Sequence, residues 1–216
     1  MFRNLTIAWI LMINAAVAKE PVIVALGDSL TQGYGLAPAD GFTVQLEAWL
    51  RANGHPAVVQ NAGVSGDTTA GGLARVGWAL GPDADALIVT LGGNDMLRGI
   101  DPATSRANLD GILKEATARG LPVLLVGMTA PGNFGADYKS AFDAMYPDLA
   151  AEYGALLAKD FFDGLVAAGA DRSNPASFAP FLQADGIHPN PEGVKLIVAA
   201  LGPRVVELLG RVGTKP

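Results

Sequence analysis

The sequence predicts an α/β protein with a parallel sheet covered by helices on both faces. Three observations predict it. Short apolar runs of strand length recur, at residues 22–26, 86–91 and 122–126, each leading into Gly. Stretches with apolar residues at helical spacing alternate with them, the pattern of repeated strand–helix units. The runs are almost continuously apolar, as strands buried on both faces must be. Bulk composition agrees: of 216 residues half are apolar and 17% are charged, enough for one full core. A net charge of −6 argues against nucleic acid as a partner and against a basic membrane-surface protein. Cysteine is absent, which removes disulfides, zinc–thiolate sites and cysteine nucleophiles together. There are two histidines, so a histidine-dependent mechanism has only His55 and His188 to choose from.

Residues 1–18 read as a secretory signal rather than as part of the fold. Arg3 supplies the positive end, Leu5 to Val17 is largely apolar, and Ala16-Val17-Ala18 is a small-x-small ending suited to cleavage. The competing reading is an uncleaved anchor, although the apolar run is short for a membrane span. The expectation is therefore a periplasmic or secreted protein whose single domain spans residues 21–216. No internal repeat, linker or low-complexity segment divides it.

The first strand, Val22 to Leu26, runs into Gly27-Asp28-Ser29. A Gly-rich turn over 31–35 follows, and then Phe42, Leu46, Trp49 and Leu50 mark a helix stopped by Gly54. Pro56 disfavours helix at His55, which reads as a surface turn residue. A second strand starts at Val58-Val59 and ends at Asn61-Ala62-Gly63. Small residues then lead into a helix from about Thr69 to Leu80. The third strand, Ala86 to Leu91, ends in Gly92-Gly93-Asn94-Asp95. A helix from about Ala103 to Arg119 is closed by Gly120, and Pro122 to Val126 is the fourth strand. After a loop over 129–135 comes a helix from about Tyr138 to Tyr153, where Tyr146-Pro147 marks a place for a break. Ala155 to Ala158 reads as a short fifth strand, and residues 171–184 show no period. Asp185-Gly186-Ile187-His188-Pro189-Asn190 precedes a last helix from about Pro191, which suits a first turn, to Leu209.

Strand ends of a parallel sheet share one rim, and open α/β sheets bind ligands there. Gly27-Asp28-Ser29, Gly66-Asp67 and Gly93-Asn94-Asp95 all fall at or just beyond such ends. A serine nucleophile needs a base, because a neutral hydroxyl attacks poorly. His188 is the better of the two candidates, and Asp185, three residues earlier, can meet its imidazole in a tight turn and orient it. The developing oxyanion needs donors, and the Ser29 N–H, the Gly66 N–H and the Asn94 amide are candidates. Each residue also has an ordinary structural reading as a cap, a turn glycine or a loop residue. Asp28, Asp67 and Asp95 are expected to be structural in that way.

Four blocks, Gly27-Asp28-Ser29-Leu30-Thr31-x-Gly33-Tyr34, Asn61-Ala62-Gly63-Val64-Ser65-Gly66-Asp67-Thr68, Leu91-Gly92-Gly93-Asn94-Asp95 and Asp185-Gly186-Ile187-His188-Pro189-Asn190, stand in an order that resembles the SGNH (GDSL) hydrolase family. The likeness is to its branch of bacterial periplasmic thioesterases, arylesterases and lysophospholipases, and it covers essentially all of residues 21–216. It implies a flavodoxin-like three-layer α/β/α sandwich with a five-stranded parallel sheet. It implies Ser29 as nucleophile, His188 as general base, Asp185 as its orienter, and an oxyanion hole of Ser29, Gly66 and Asn94. The implied activity is hydrolysis of carboxylic acyl esters or thioesters with no cofactor and no metal. No Gly-x-Ser-x-Gly occurs, so the α/β-hydrolase elbow is absent. Met96, Leu97 and Ile100 are expected to line an apolar acyl pocket, with Phe134 and Tyr138 opposite. Two other classes compete: a metal-dependent phosphoesterase using Asp28, Asp67, Asp95, Asp185 and His188, and a non-catalytic binding module on the same fold. A nucleotide-binding protein fits least, since neither Gly-x-Gly-x-x-Gly after the first strand nor a Walker lysine motif is present.

Overall fold

Five strands form one parallel sheet in the order β2-β1-β3-β4-β5: β1 Val22–Gly27, β2 Val58–Gly63, β3 Ala86–Thr90, β4 Val123–Val126 and β5 Leu156–Ala158. They come from a computed structural model that describes residues 19–213; the expected signal segment lies outside the described residues. This order is flavodoxin-like, with the topological switch beside β1, so a crevice opens between the carboxyl ends of β1 and β3. The three central strands, β1, β3 and β4, are buried nearly throughout, which is why they read as unbroken apolar runs. Edge strand β2 has only Val59 fully buried, and its sequence is correspondingly less apolar.

Helices cover both faces. On one side lie α3 Thr69–Ala79, α5 Pro102–Ala118 and α6 Ala136–Tyr153; on the other lie α2 Phe42–Ala52, α7 Asp163–Ala167 and α8 Pro191–Leu209. The buried stripe of α5, Leu109, Ile112, Leu113 and Ala116, recurs at the spacing of one helix face, as does Val194, Ile197, Val198, Leu201, Val205 and Leu208 on α8. Two one-turn helices sit at the rim, α1 Ser29–Gln32 after β1 and α4 Gly93–Leu97 after β3.

The structure departs from the sequence expectations in three places. Where a Gly-rich turn was expected to begin at Thr31, the chain makes a helical turn, α1. It forms because Asp28 caps it by accepting the Leu30 N–H at 3.0 Å, and Gly33, at φ +87°, ends it. Helix α6 runs through Pro147 without a break. Pro147 is exposed, while Met145, Tyr146, Leu149 and Ala150 on the facing stripe are buried, and that packing outweighs the one hydrogen bond lost. The aperiodic stretch after residue 171 holds a 3₁₀ segment, Pro175–Phe181, fastened by short bridges at Asp171–Asn174 and Leu182–Pro189. His55 is exposed in its turn, as expected.

Candidate active site

Ser29 is the first residue of α1, directly beyond the buried β1, so its side chain stands at the sheet rim on a fixed base. The loop before α8 reaches over that rim. It is held from below by Gln183, whose backbone N–H donates to the His188 carbonyl at 2.8 Å. Its side-chain amide donates to the carbonyls of Tyr34 and Pro189 at 2.8 and 3.0 Å. Asn190 closes the loop by capping α8 through the Gly193 N–H at 2.9 Å.

This places His188 Nε2 2.8 Å from Ser29 Oγ, and His188 Nδ1 2.7 Å from Asp185 Oδ2. The other carboxylate oxygen of Asp185 accepts the N–H groups of Ile187 and His188 at 3.0 and 3.1 Å, which fixes its orientation. The hydrogen bond from the imidazole and these two backbone donors hold the Asp185 carboxyl down at about 2. An ionised Asp185 accepts a hydrogen bond from the proton assigned to Nδ1, leaving the Nε2 lone pair facing the serine hydroxyl. The Tyr34 ring lies against the imidazole, centroids 4.6 Å apart, and limits its rotation.

Ser29, Gly66 and Asn94 line the same cavity of about 340 Å³. The Ser29 N–H is at the start of a helix, where no intrahelical acceptor exists. Neither it nor the Gly66 N–H meets a protein acceptor among the described residues. Gly66 adopts φ +81°, which a side chain would strain, and its carbonyl is held by Arg98 Nη2 at 2.8 Å. The Asn94 amide gives one Nδ2 hydrogen to Asp28 Oδ2 at 3.3 Å and keeps the other. The arrangement can deprotonate a hydroxyl and surround a carbonyl oxygen with donors.

The remaining expectations divide. Met96 and Leu97 line the cavity, together with Leu30, Phe162 and Ile187. Ile100 does not: Gly99, at φ +62°, turns the chain after α4 and carries Ile100 away, its N–H bonded to the Asp95 carbonyl. Phe134 and Tyr138 line neither this cavity nor its neighbour. Their rings pack on one another at 5.1 Å and continue through Phe142 and Tyr146 as a column along α6. The neighbouring cavity, about 650 Å³, shares Phe162 and Ile187 with the first and is walled by residues 129–132 and 172–178. The sequence reading missed it, as it missed Tyr34, Gln183 and Phe162.

The aspartates that a metal reading gathers are engaged separately. Asp67 pairs with Arg75 at 2.6 Å, and Asp95 is fully buried, accepting the Thr69 N–H at 2.8 Å and the Ser105 hydroxyl at 2.8 Å. Among the described residues no group of three or more His, Asp or Glu is arranged to hold a metal ion. Arg75 also binds the carbonyls of Ala62 and Gly27 at 2.7 and 2.8 Å, tying the ends of β1 and β2 to the Gly66 turn.

The chain is similar to several known proteins. Esterase TesA of Pseudomonas aeruginosa is 38% identical over 184 residues, 85% of this chain and 86% of its own. Thioesterase 1/protease 1/lysophospholipase L1 of Escherichia coli is 32% identical over 193 residues, 88% of this chain and 86% of its own. The crystal structure of AlinE4, an SGNH-hydrolase family esterase, superposes with a TM-score of 0.71 at 44% identity, covering 89% of this chain and 98% of that one. The model of the GDSL-like lipase/acylhydrolase family matches residues 25–196, which span all four motif blocks, and to that family this chain belongs.

Proposed function

We propose that this protein is a serine esterase that hydrolyses carboxylic esters and thioesters through an acyl-enzyme on Ser29. The observation that carries the reading is the continuous line of bonds from Ser29 Oγ through His188 to Asp185, 2.8 and 2.7 Å, opening on an apolar cavity. In the first half-reaction Ser29 Oγ attacks the acyl carbon as His188 Nε2 takes its proton. The carbonyl electrons move onto oxygen, which the Ser29 N–H, the Gly66 N–H and Asn94 Nδ2 receive. The tetrahedral adduct collapses as the imidazolium gives its proton to the departing alcohol or thiol. In the second half water attacks the acyl carbon as His188 removes its proton, and the adduct collapses to free acid as the imidazolium returns that proton to the departing Ser29 Oγ.

Met96, Leu97, Phe162 and Ile187 give the acyl group an apolar seat, and the adjoining cavity extends it for longer chains. The activities in the names of the relatives make carboxylic esters, acyl thioesters and lysophospholipids the panel to assay. Rates on this panel across acyl lengths, with Ser29→Ala as control, test the proposal. Turnover that rises with chain length and vanishes in the variant supports it; equal turnover by the variant would overthrow it.

The protein is also proposed to be exported, on the strength of Arg3, the apolar run and Ala16-Val17-Ala18. Among the described residues no helix is long and apolar enough to cross a membrane. Mass spectrometry of the exported form is expected to find Lys19 as its first residue; an intact Met1 there would refute this.

A further inference from the structure

Asp28 is 2% exposed and sits between the two segments that bear the proposed reacting groups. One oxygen accepts the Leu30 N–H at 3.0 Å; the other accepts Asn94 Nδ2 at 3.3 Å. The contact with α4 is close. A Cβ built on Gly93 would lie 3.3 Å from Asp28 Oδ2 and 3.1 Å from Met128 Sδ, so a bare glycine lets the first turn of α4 approach the carboxylate.

A cap on α1 does not call for aspartate. Serine or asparagine would serve the Leu30 N–H about as well, without a charge to bury. Burial here pushes the Asp28 carboxyl up to about 6, a cost that a neutral cap avoids. The second contact supplies the reason. An asparagine amide has a donor end and an acceptor end, and the two are nearly the same shape. With Oδ1 turned toward the substrate, Asn94 would oppose the developing oxyanion instead of stabilising it. An ionised carboxylate accepts only, so it selects the Nδ2 end, and a carboxylate fixed by Leu30 selects it at a fixed point. We propose that Asp28 is a positioning residue that holds the Asn94 amide with its second Nδ2 hydrogen turned into the cavity.

The inference rests on the reading of Asn94 as an oxyanion donor. The groups that face Asp28 are few. They are Asn94 from α4, the His188 imidazole from the loop before α8, whose cationic form favours an ionised Asp28, and Tyr146 from α6, whose hydroxyl donates to the Leu91 carbonyl at 3.0 Å. Arg75 from α3 is taken up by the Gly27 and Ala62 carbonyls and by Asp67.

The test is a double-mutant cycle of Asp28→Asn with Asn94→Ala, read as kcat and KM on a soluble aryl ester, with thermal unfolding of each protein. Asp28→Asn retains an oxygen for the Leu30 N–H but offers Asn94 an amide instead of an acceptor. It is expected to lower kcat about tenfold, a part of the about 100- to 1,000-fold loss typical when an oxyanion donor is removed, with KM within about twofold. In the Asn94→Ala background the same change is expected to cost less than about twofold. The acid limb of kcat against pH is expected to be steeper in the wild type than in Asp28→Asn, because protonation of Asp28 releases the amide. Asp28→Ser, which also keeps a cap, repeats the kcat loss and carries the test if Asp28→Asn does not fold. Wild-type kcat in Asp28→Asn, or an equal loss in both backgrounds, would overturn the inference while leaving Asn94 and Ser29 in their roles. Wild-type kcat in Asn94→Ala would instead remove the reading beneath it.

Discussion

In the proposed mechanism Ser29 is activated by one lone pair, that of His188 Nε2 at 2.8 Å, which faces it because Asp185 engages Nδ1. Asp185→Asn reverses the tautomer preference, and a fall in kcat of about 10⁴ is expected with a circular-dichroism spectrum like the wild type's. Asn94→Ala is expected to lose about 100- to 1,000-fold in kcat with little change in stability, and Ser29→Ala more. Two carboxyls are perturbed in opposite senses, so their effects on folding differ in sign. Asp28 is raised to about 6, so the folded state favours its neutral form. Its contribution is complete below its ordinary value near 3.8 and is lost as pH rises through about 6. Asp28→Asn is therefore expected to raise the unfolding free energy at pH 8, by up to about 2–3 kcal/mol, and to leave it nearly unchanged at pH 4. Asp185 is lowered to about 2, so its contribution is present above its ordinary value and is lost only as pH falls toward 2. Denaturant melts at the two pH values check the first expectation; a larger gain at pH 4 would contradict it. That Ser29, His188, Asp185, Gly66 and Asn94 come together was legible because short motifs carry them, three beyond strand ends and one before the last helix. Ile100, grouped with Met96 and Leu97 in the sequence, lies outside the cavity that they line, because adjacency in sequence hides the turn at Gly99.

Helix and strand identity followed from periodicity wherever an element has one buried stripe, as α5 and α8 do. What periodicity leaves open is which face meets what. Phe134, Tyr138, Phe142 and Tyr146 recur every four residues, a spacing that serves a cavity wall and an aromatic column equally, and the structure has the column. The short elements α1, α4 and α7 hold four or five residues each, too few for any period to register, and α1 depends on the single capping contact of Asp28. Close approach between elements also escapes the sequence. A Cβ on Gly164 of α7 would lie 2.2 Å from the Leu196 carbonyl oxygen of α8, and backbone on both sides leaves nothing to give way. Gly164→Ala is expected to cost about 1–3 kcal/mol in unfolding free energy and to leave kcat per folded molecule unchanged, since Gly164 lines neither cavity. Unfolding curves and active-site titration of the same sample check it; unchanged stability would mean that α7 shifts freely on α8.

The sheet order β2-β1-β3-β4-β5 puts the ends of β1 and β3 side by side, and so brings Ser29 and Asn94, 65 residues apart in sequence, to one cavity. That the strand ends share one rim was legible from the parallel sheet itself, while the flavodoxin-like arrangement came only with the family resemblance. The neighbouring cavity was not legible, because five separated stretches build it and only Gly186-Ile187 among them falls in a motif block. Since the carboxylates at the rim are each held by protein donors, exhaustive dialysis against a chelator is expected to leave turnover unchanged; loss of activity restored by a divalent cation would revive the metal reading. The most direct measurement is covalent. A serine-reactive alkyl phosphonate incubated with the native protein, with His188→Ala, and with the protein unfolded in denaturant should give, by peptide mass spectrometry, a single stoichiometric adduct on Ser29 in the native wild type. The same reagent should give little in the variant and none in the unfolded chain. A native protein that stays unlabelled, labels at another residue, or labels as fast without His188 would contradict a hydroxyl at position 29 activated by that imidazole.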